Sequence, residues 1–391
     1  MTTDEKITPS QNGLSSIIKQ TFDLVLIPFL AVVTALIIGG FIIVVTDAAV
    51  YTAFGEGGIG GGLAAIWTSV SVAYGSMFSG SLGSARDISE SLVASTPYIF
   101  AGLAVAVGFR GGMFNIGVEG QLLLAVMASV YVGSNFSLPW IIHLPLTILA
   151  GMVAGAAWAA LAGYLKAKTG AHEVINTIMM NYIVYLFSDW ALNGFLCRTP
   201  CSSPVSPPVL ESAFLPQFFY RLHFGFFLAL IVAFAVWWLL FKTTIGFEIR
   251  TVGTNPNAAR YGGIQTTKVM VLTMAISGAL AGLAGASELL GVNRVLAAGF
   301  SSGYGFDAIA LALLGRSHPL GVVLAALLFG TLRSGATRMQ SLANIPTDII
   351  SIIQALVIVF IAAPAIIRWI YRIKAKGAEE GGGVMVQGWG S

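Results

Sequence analysis

Charge is what this sequence has least of: Asp, Glu, Lys and Arg together make up 9% of its 391 residues, where soluble domains carry roughly 25%. A chain so poor in charge, with 56% hydrophobic residues and a mean hydropathy of +0.85, is neither a soluble globular protein nor a disordered one. It belongs in a membrane. Cysteine is nearly missing, with Cys197 and Cys201 alone, which excludes a disulfide-rich scaffold. Four scattered histidines, and no second histidine at HExxH spacing after His172 and Glu173, speak against a metal site. The dipeptide Gly-Lys never occurs, so a GxxxxGK[ST] phosphate loop is excluded and any ATP chemistry falls to another subunit. A net charge of +3 is too small to indicate a nucleic-acid partner.

Against these absences stand long apolar runs. They cover residues 24–46, 92–109, 116–132, 141–164, 174–192, 224–241, 269–290, 304–314, 320–335 and 349–370, most of them near the ~20 residues a helix needs to cross a bilayer. They are solidly apolar and lack the period-two alternation of barrel strands. In lipid, every backbone donor and acceptor must be met within the element, so the expected fold class is an all-α integral membrane protein of about ten transmembrane helices. The eighth and ninth runs are short and divided by 315–319, which predicts half helices or a re-entrant pair. The first run exceeds the apolar core of a cleavable signal peptide, about 7 to 15 residues, and is read as a retained span. Pro28 lies in its first turn, where a missing donor costs little.

Alternating ten spans from a cytoplasmic N-terminus puts fourteen of the 20 lysines and arginines inside. Six, Arg86, Arg198, Arg221, Arg294, Arg333 and Arg338, fall outside or near the outer end of a span. This bias satisfies the positive-inside rule with both termini cytoplasmic: a segment 1–23, a membrane domain 24–370 and a tail 371–391. Residues 59–78 are only moderately apolar, and a span there would carry the cluster from Arg368 to Lys376 outside. The segment 47–91 is therefore read as outer and interfacial. The outer gap 193–223 contains five prolines and is expected to be an irregular, lid-like loop. The inner gap 242–268 has four basic residues and dense Gly, Asn and Pro punctuation around 253–256, more than a solvated connector needs. It is a candidate docking site for a cytoplasmic partner.

A weak internal symmetry is visible. RGGMFN, 110–115, joins the second and third spans on the inner side, and AAGFSSG, 297–303, joins the seventh and eighth on the outer side. Such paired, glycine-interrupted segments predict an inverted repeat with some helices broken, and in transporters they lie near the solute path. Polar residues within the membrane are costly and mark paths or helix contacts. The candidates for a translocation path are Asn115, Glu119 and Gln121 at the start of the third span, Asn176 and Asn181 on the fifth, and Glu288 and Asp307 beside the second interruption. For Asn176 and Asn181, helix-to-helix hydrogen bonding weighs at least as much as solute contact. Glu173 and Asp307 sit in first turns, which the helix dipole alone explains. Glycine pairs at i, i+4, such as Gly151 with Gly155 and Gly278 with Gly282, permit close helix approach. The pair in CRTPC stays open between two free thiols and a Cys197–Cys201 disulfide that would pin the outer loop.

GFRGGMFNIGVEGQ, 108–121, resembles the membrane subunits of ABC importers for nucleosides and related solutes, relatives of the ribose and branched-chain amino acid permeases. KAKTGAHEVINTIMMNYI (166–183), TTIGFEIRTVGTNPNAARYGGI (243–264), SGALAGLAGASELLG (277–291) and GYGFDAIALALLGRSHPLG (303–321) follow in the same order. The resemblance spans about residues 90 to 360. It implies a permease subunit without catalytic residues or a cofactor of its own, working with a second permease, with cytoplasmic subunits that bind ATP and Mg, and with an external solute-binding lipoprotein. It further implies that Gly253, Thr254, Asn255, Pro256, Ala258, Ala259, Arg260 and Gly262 couple the chain to the ATPase. Expected transport is of nucleosides or purine-like solutes across the bacterial plasma membrane, with a simple sugar or branched-chain amino acid as the alternative. A proton-coupled secondary transporter using Glu119 and Glu288 is the more distant one. His172 departs from the family block, where asparagine is common, and the cysteine-bearing loop matches no family motif.

Overall fold

A computed structural model describes residues 13–343, 345–346 and 348–373. Residues 1–12 of the expected N-terminal segment, and the expected tail from 374 onward, lie outside the described residues. The elements in chain order are α1 (Gly13–Thr46), α2 (Ala48–Leu82), α3 (Ala85–Arg110), α4 (Val118–Asn135), α5 (Trp140–Thr169) and α6 (Glu173–Leu192), then the short strands β1 (Gln217–Phe219) and β2 (Leu222–His223). They continue with α7 (Phe224–Lys242), α8 (Thr244–Thr254), α9 (Pro256–Tyr261), α10 (Thr266–Glu288), α11 (Tyr304–Leu314), α12 (Pro319–Ala343), α13 (Asp348–Ala362) and α14 (Pro364–Ile370).

Every one of the ten expected runs is mostly helical. Among the described residues, six helices qualify as spans on their own by length and apolarity: α1, α3, α5, α7, α10 with its extension to Asn293, and α12; the pair α13 and α14 makes a seventh if counted together. Three expectations are corrected. Pro28 is not in a first turn, because α1 starts at Gly13 and carries the proline inside the helix. The run 320–335 is no half helix, because α12 continues for 25 residues; its far end is polar, and Arg338 is held there by Asp87 at 3.5 Å. The run 349–370 is not one straight span but two helices bent by 91°. Pro364 causes the break: it has no N–H and keeps the residue before it out of the helical region, and Ala363 accordingly sits at φ −119°, ψ 70°. Residues 47–91 are mostly helix, kinked inside α2 at Gly58, whose φ is 60°.

The described residues form two compact units, the first from 13–66 and 348–373, the second from 67–343 and 345–346. In the first, α13 and α14 pack on α1, and Tyr371 Oη lies 3.0 Å from Thr34 Oγ1. The second is built around α3, which is buried along most of its length and packs against α7, α10, α11 and α12. Ser84 caps α3 by accepting from Asp87 N, and the Gly111–Gly112 pair ends it, Gly112 taking the positive φ of 69° that a side chain would resist.

Lipid tails are as apolar as leucine, so helices in a bilayer associate through close packing of small residues. The two glycine pairs noted in the sequence face each other across α5 and α10. A Cβ on Gly155 would lie 2.3 Å from Gly278 O, and one on Gly282 would lie 2.5 Å from Gly151 O. The backbones therefore touch along a seam that only glycine permits.

Candidate functional site

Two breaks in the helices meet at one carboxylate. Glu119, 2% exposed at the start of α4, accepts from Gly305 N at 2.6 Å, from Gly303 N at 3.2 Å and from Ser301 Oγ. These donors belong to the second interruption, where α10 runs through a π turn (Leu289–Asn293) into non-helical chain before α11. The first turn of α11 has unmet N–H groups, and a carboxylate there is favoured both by hydrogen bonding and by the helix dipole. Glu119 thus joins the start of α4 to the start of α11. Ser301 also stands in a GFSSG string that spells the GxSxG elbow of hydrolases, but it lies in a loop against Glu119 and not on a strand-to-helix turn.

Asn115, Gln121 and Asn181 are occupied by the first interruption. Asn115 Nδ2 donates to Gln121 Oε1 and to Ser277 Oγ, each at 2.9 Å, while its Oδ1 accepts from Gly117 N and from Gln121 Nε2. Asn181 reaches across from α6, accepting from Gly120 N at 2.9 Å and donating to Ile116 O at 3.0 Å. These amides satisfy backbone groups that the glycine-broken chain would leave bare. Asn176 is half-buried, and its Nδ2 has no partner among the described residues. Glu173 pairs with Lys166 at 2.5 Å.

Glu288 and Asp307 belong to a different group of side chains. Glu288, 9% exposed, accepts from Asn293 Nδ2 at 3.2 Å. Asp307 Oδ2 accepts from Tyr98 Oη at 2.9 Å, and that hydroxyl accepts in turn from Arg333 Nη1 at 2.8 Å. The Arg333 guanidinium lies 4.7 Å over the Tyr304 ring. Tyr98, Tyr304 and Arg333 were not singled out from the sequence, although a signal existed: Arg333 falls inside an apolar run, and an arginine there is a functional candidate by default. Counting it only as a topology marker hid it.

The proline-rich segment 193–223 lies over the same end. Cys197 and Cys201 are joined in a disulfide. Ser206 N donates to Leu296 O, Val209 N to Arg294 O and Leu215 N to Leu290 O, so the segment runs along the π turn and the non-helical chain that follows it and takes up carbonyls of both. Arg294 is stacked 4.3 Å over Phe214. His223 caps α7 by accepting from Gly225 N through Nδ1, and burial pushes its imidazole down to about 4, with the Arg221 charge adding to the shift.

At the opposite end of α3, the 242–268 gap forms α8 and α9. Asn255 Oδ1 accepts from Asn257 N and Ala258 N, with Pro256 as the first residue of α9. Thr254, Asn255, Pro256, Ala258, Arg260 and Gly262 are exposed, as is Tyr261 at 95%, whereas Ala259 is buried. Gly253 is the root of this projection: a Cβ there would lie 2.2 Å from Arg110 O and 2.8 Å from Gly112 N. Arg110 itself donates from Nε to Ser317 O at 2.9 Å and from Nη2 to Arg316 O at 3.3 Å, in the turn between α11 and α12. One continuous set of contacts therefore runs from Gly253 through the end of α3 to α11.

The family described as branched-chain amino acid transport system / permease component matches residues 88–362. The guanosine ABC transporter permease protein NupP of Bacillus subtilis is 42% identical over 79% of this chain and 91% of its own length. The glucose ABC transporter permease protein TsgB13 of Haloferax volcanii is 37% identical over 74% of this chain and 79% of its own. The nucleoside ABC transporter permease protein NupB of Lactococcus lactis is 34% identical over 88% and 92%. No solved structure matches the chain. With its apolar helices, broken segments and these relatives, the chain belongs to the branched-chain amino acid transport system permease family and is a multi-pass membrane subunit of the ABC transport class.

Proposed function

We propose that this chain is the permease of an ABC importer that carries nucleosides or purine-like solutes into the cell by alternating access. The observation that carries the solute class is the 42% identity to the guanosine permease over 79% of the chain, supported by the nucleoside permease aligned over 88%. ATP and Mg are bound by separate cytoplasmic subunits, a paralogous second permease completes the membrane part, and an external lipoprotein delivers the solute. Both termini face the cytoplasm, and the segment 193–223 faces out. The residues Gly253 to Pro256, Ala258, Ala259, Arg260 and Gly262 form the coupling segment. Its exposed tip would seat on the ATPase, and its glycine root presses on the turn after α3, so closure of the ATPase would move α3 and, through Arg110, the α11–α12 turn.

A simple sugar is the second reading, favoured by the 37% identity to a glucose permease. Purification of the tagged chain from its native membrane in mild detergent, after crosslinking, tests the assembly. An ATPase, a second permease and a lipoprotein are expected to come with it, and uptake of labelled guanosine by the reconstituted complex should exceed glucose uptake. A chain that comes alone would overturn the importer reading, and glucose uptake in place of guanosine would overturn the solute.

A further inference from the structure

Within the second unit lies an open cavity of about 800 Å³, within the range of small-molecule pockets, about 300–1,000 Å³. It is walled by the end of α2, the start of α3, the π turn and the far half of α12, with Tyr304 from α11 and Arg221 from the proline-rich segment. Most of its charges are paired: Arg221 with Glu90 at 3.1 Å and Arg338 with Asp87 at 3.5 Å. Glu288, Arg333 and the exposed Arg86 stand outside those pairs, and of these Glu288 and Arg333 are held in place by neighbouring side chains. Glu288 is steadied by Asn293, and Arg333 uses one N–H on Tyr98 while stacking on Tyr304. Ser84, Ser334, Thr337 and Ser341 add hydroxyls to the wall.

We propose that this cavity is a solute station of the permease, in which Glu288 accepts from a solute hydroxyl and Arg333 donates to a solute carbonyl or ring nitrogen. A fixed acceptor and a fixed donor lining one cavity suit an uncharged solute that carries both kinds of group, since an anion would meet Glu288 and a cation would meet Arg333. A nucleoside has that chemistry, and an aliphatic amino acid side chain does not. The Tyr98–Asp307 bond acts behind the site by orienting Arg333. In its solute class, the inference rests on the proposed nucleoside import.

The test uses the complete importer in proteoliposomes. Initial uptake of guanosine, of its 2′-, 3′- and 5′-deoxy analogues, and of glucose with its deoxy analogues is measured for the wild-type protein, for Glu288→Gln and for Thr337→Trp. Loss of one charged hydrogen bond is worth about tenfold or more. For one hydroxyl position, the parent-to-deoxy ratio is therefore expected to change by about tenfold in Glu288→Gln, with the other positions unchanged. Thr337 is exposed on the cavity wall, and a tryptophan side chain introduced there is expected to lower uptake at least tenfold at an unchanged thermal midpoint. Equal slowing of every solute by Glu288→Gln, or wild-type uptake by Thr337→Trp, overturns the station. If Glu288→Gln fails to fold, Thr337→Trp decides. Wild-type transport of glucose without any nucleoside would sink the nucleoside reading alone, and the same ratios on sugars would still judge the cavity.

Discussion

Glu119 and Glu288 looked alike from the sequence as intramembrane carboxylates, yet their surroundings divide them. Glu119 accepts three hydrogen bonds from the start of α11 and its preceding loop, whereas Glu288 lines a cavity. Removing a buried acceptor leaves its donors bare, at about 1–3 kcal/mol each. Glu119→Ala is therefore expected to destabilise the chain by about 3 kcal/mol or more, read as a lower thermal midpoint in detergent. A proton carrier would behave differently: the variant would keep its midpoint and lose only uptake. His223 gives a pH signature. Its folded value of about 4 lies below the ordinary 6.5, so the unfolded chain binds the proton first as pH falls. The stability it contributes is whole above pH 6.5 and is lost as pH falls through about 4, about 3 kcal/mol in all. His223→Ser keeps a capping oxygen and is expected to flatten the decline of the midpoint between pH 6.5 and 4; an equal decline in both proteins would contradict this.

At the scale of elements, the glycine seam between α5 and α10 leaves no room for a side chain. Gly278→Leu is expected to cost about 3 kcal/mol or more through overpacking, with loss of folded yield, while a leucine at the exposed Gly170 costs less. Gly170 ends α5 at a φ of 68° with open space around it, so its penalty is backbone strain alone, about 1–2 kcal/mol. The coupling segment divides into root and tip. Arg260→Ala, at the exposed tip, is expected to keep the thermal midpoint and to lower uptake at least tenfold while ATP hydrolysis continues; normal solute uptake would sink its role. Helices were legible because apolar runs and glycine pairs report directly on lipid contact and close approach. The bend at Ala363 was legible too, in Pro364, but the apolar run on both sides masked it. The full length of α12 was not, since Arg333 and Arg338 read as the end of a span until their partners, Tyr98 and Asp87, are brought in from α3.

At the scale of the molecule, the sequence blocks identify the transport class, while the solute path depends on which polar side chains the fold leaves facing a cavity. Of the seven path candidates, Asn115, Gln121 and Asn181 are taken up in mending a broken helix, and Glu119 pins the second break. Spacing could not separate these from Glu288 and Asp307, because their partners lie 61 to 209 residues away in the chain. The nearer bonds, Asn115 to Gln121 and Glu288 to Asn293, are local and unremarked by any motif. Energy coupling is the claim on which the rest hangs. The direct measurement is guanosine uptake by the purified complex in sealed proteoliposomes at fixed ATP, with and without a protonophore and with and without the ATPase. Uptake that needs the ATPase and hydrolysable ATP and is indifferent to the protonophore is the expected result; uptake that collapses with the protonophore while ATP is held constant, or that proceeds without the ATPase, would contradict it.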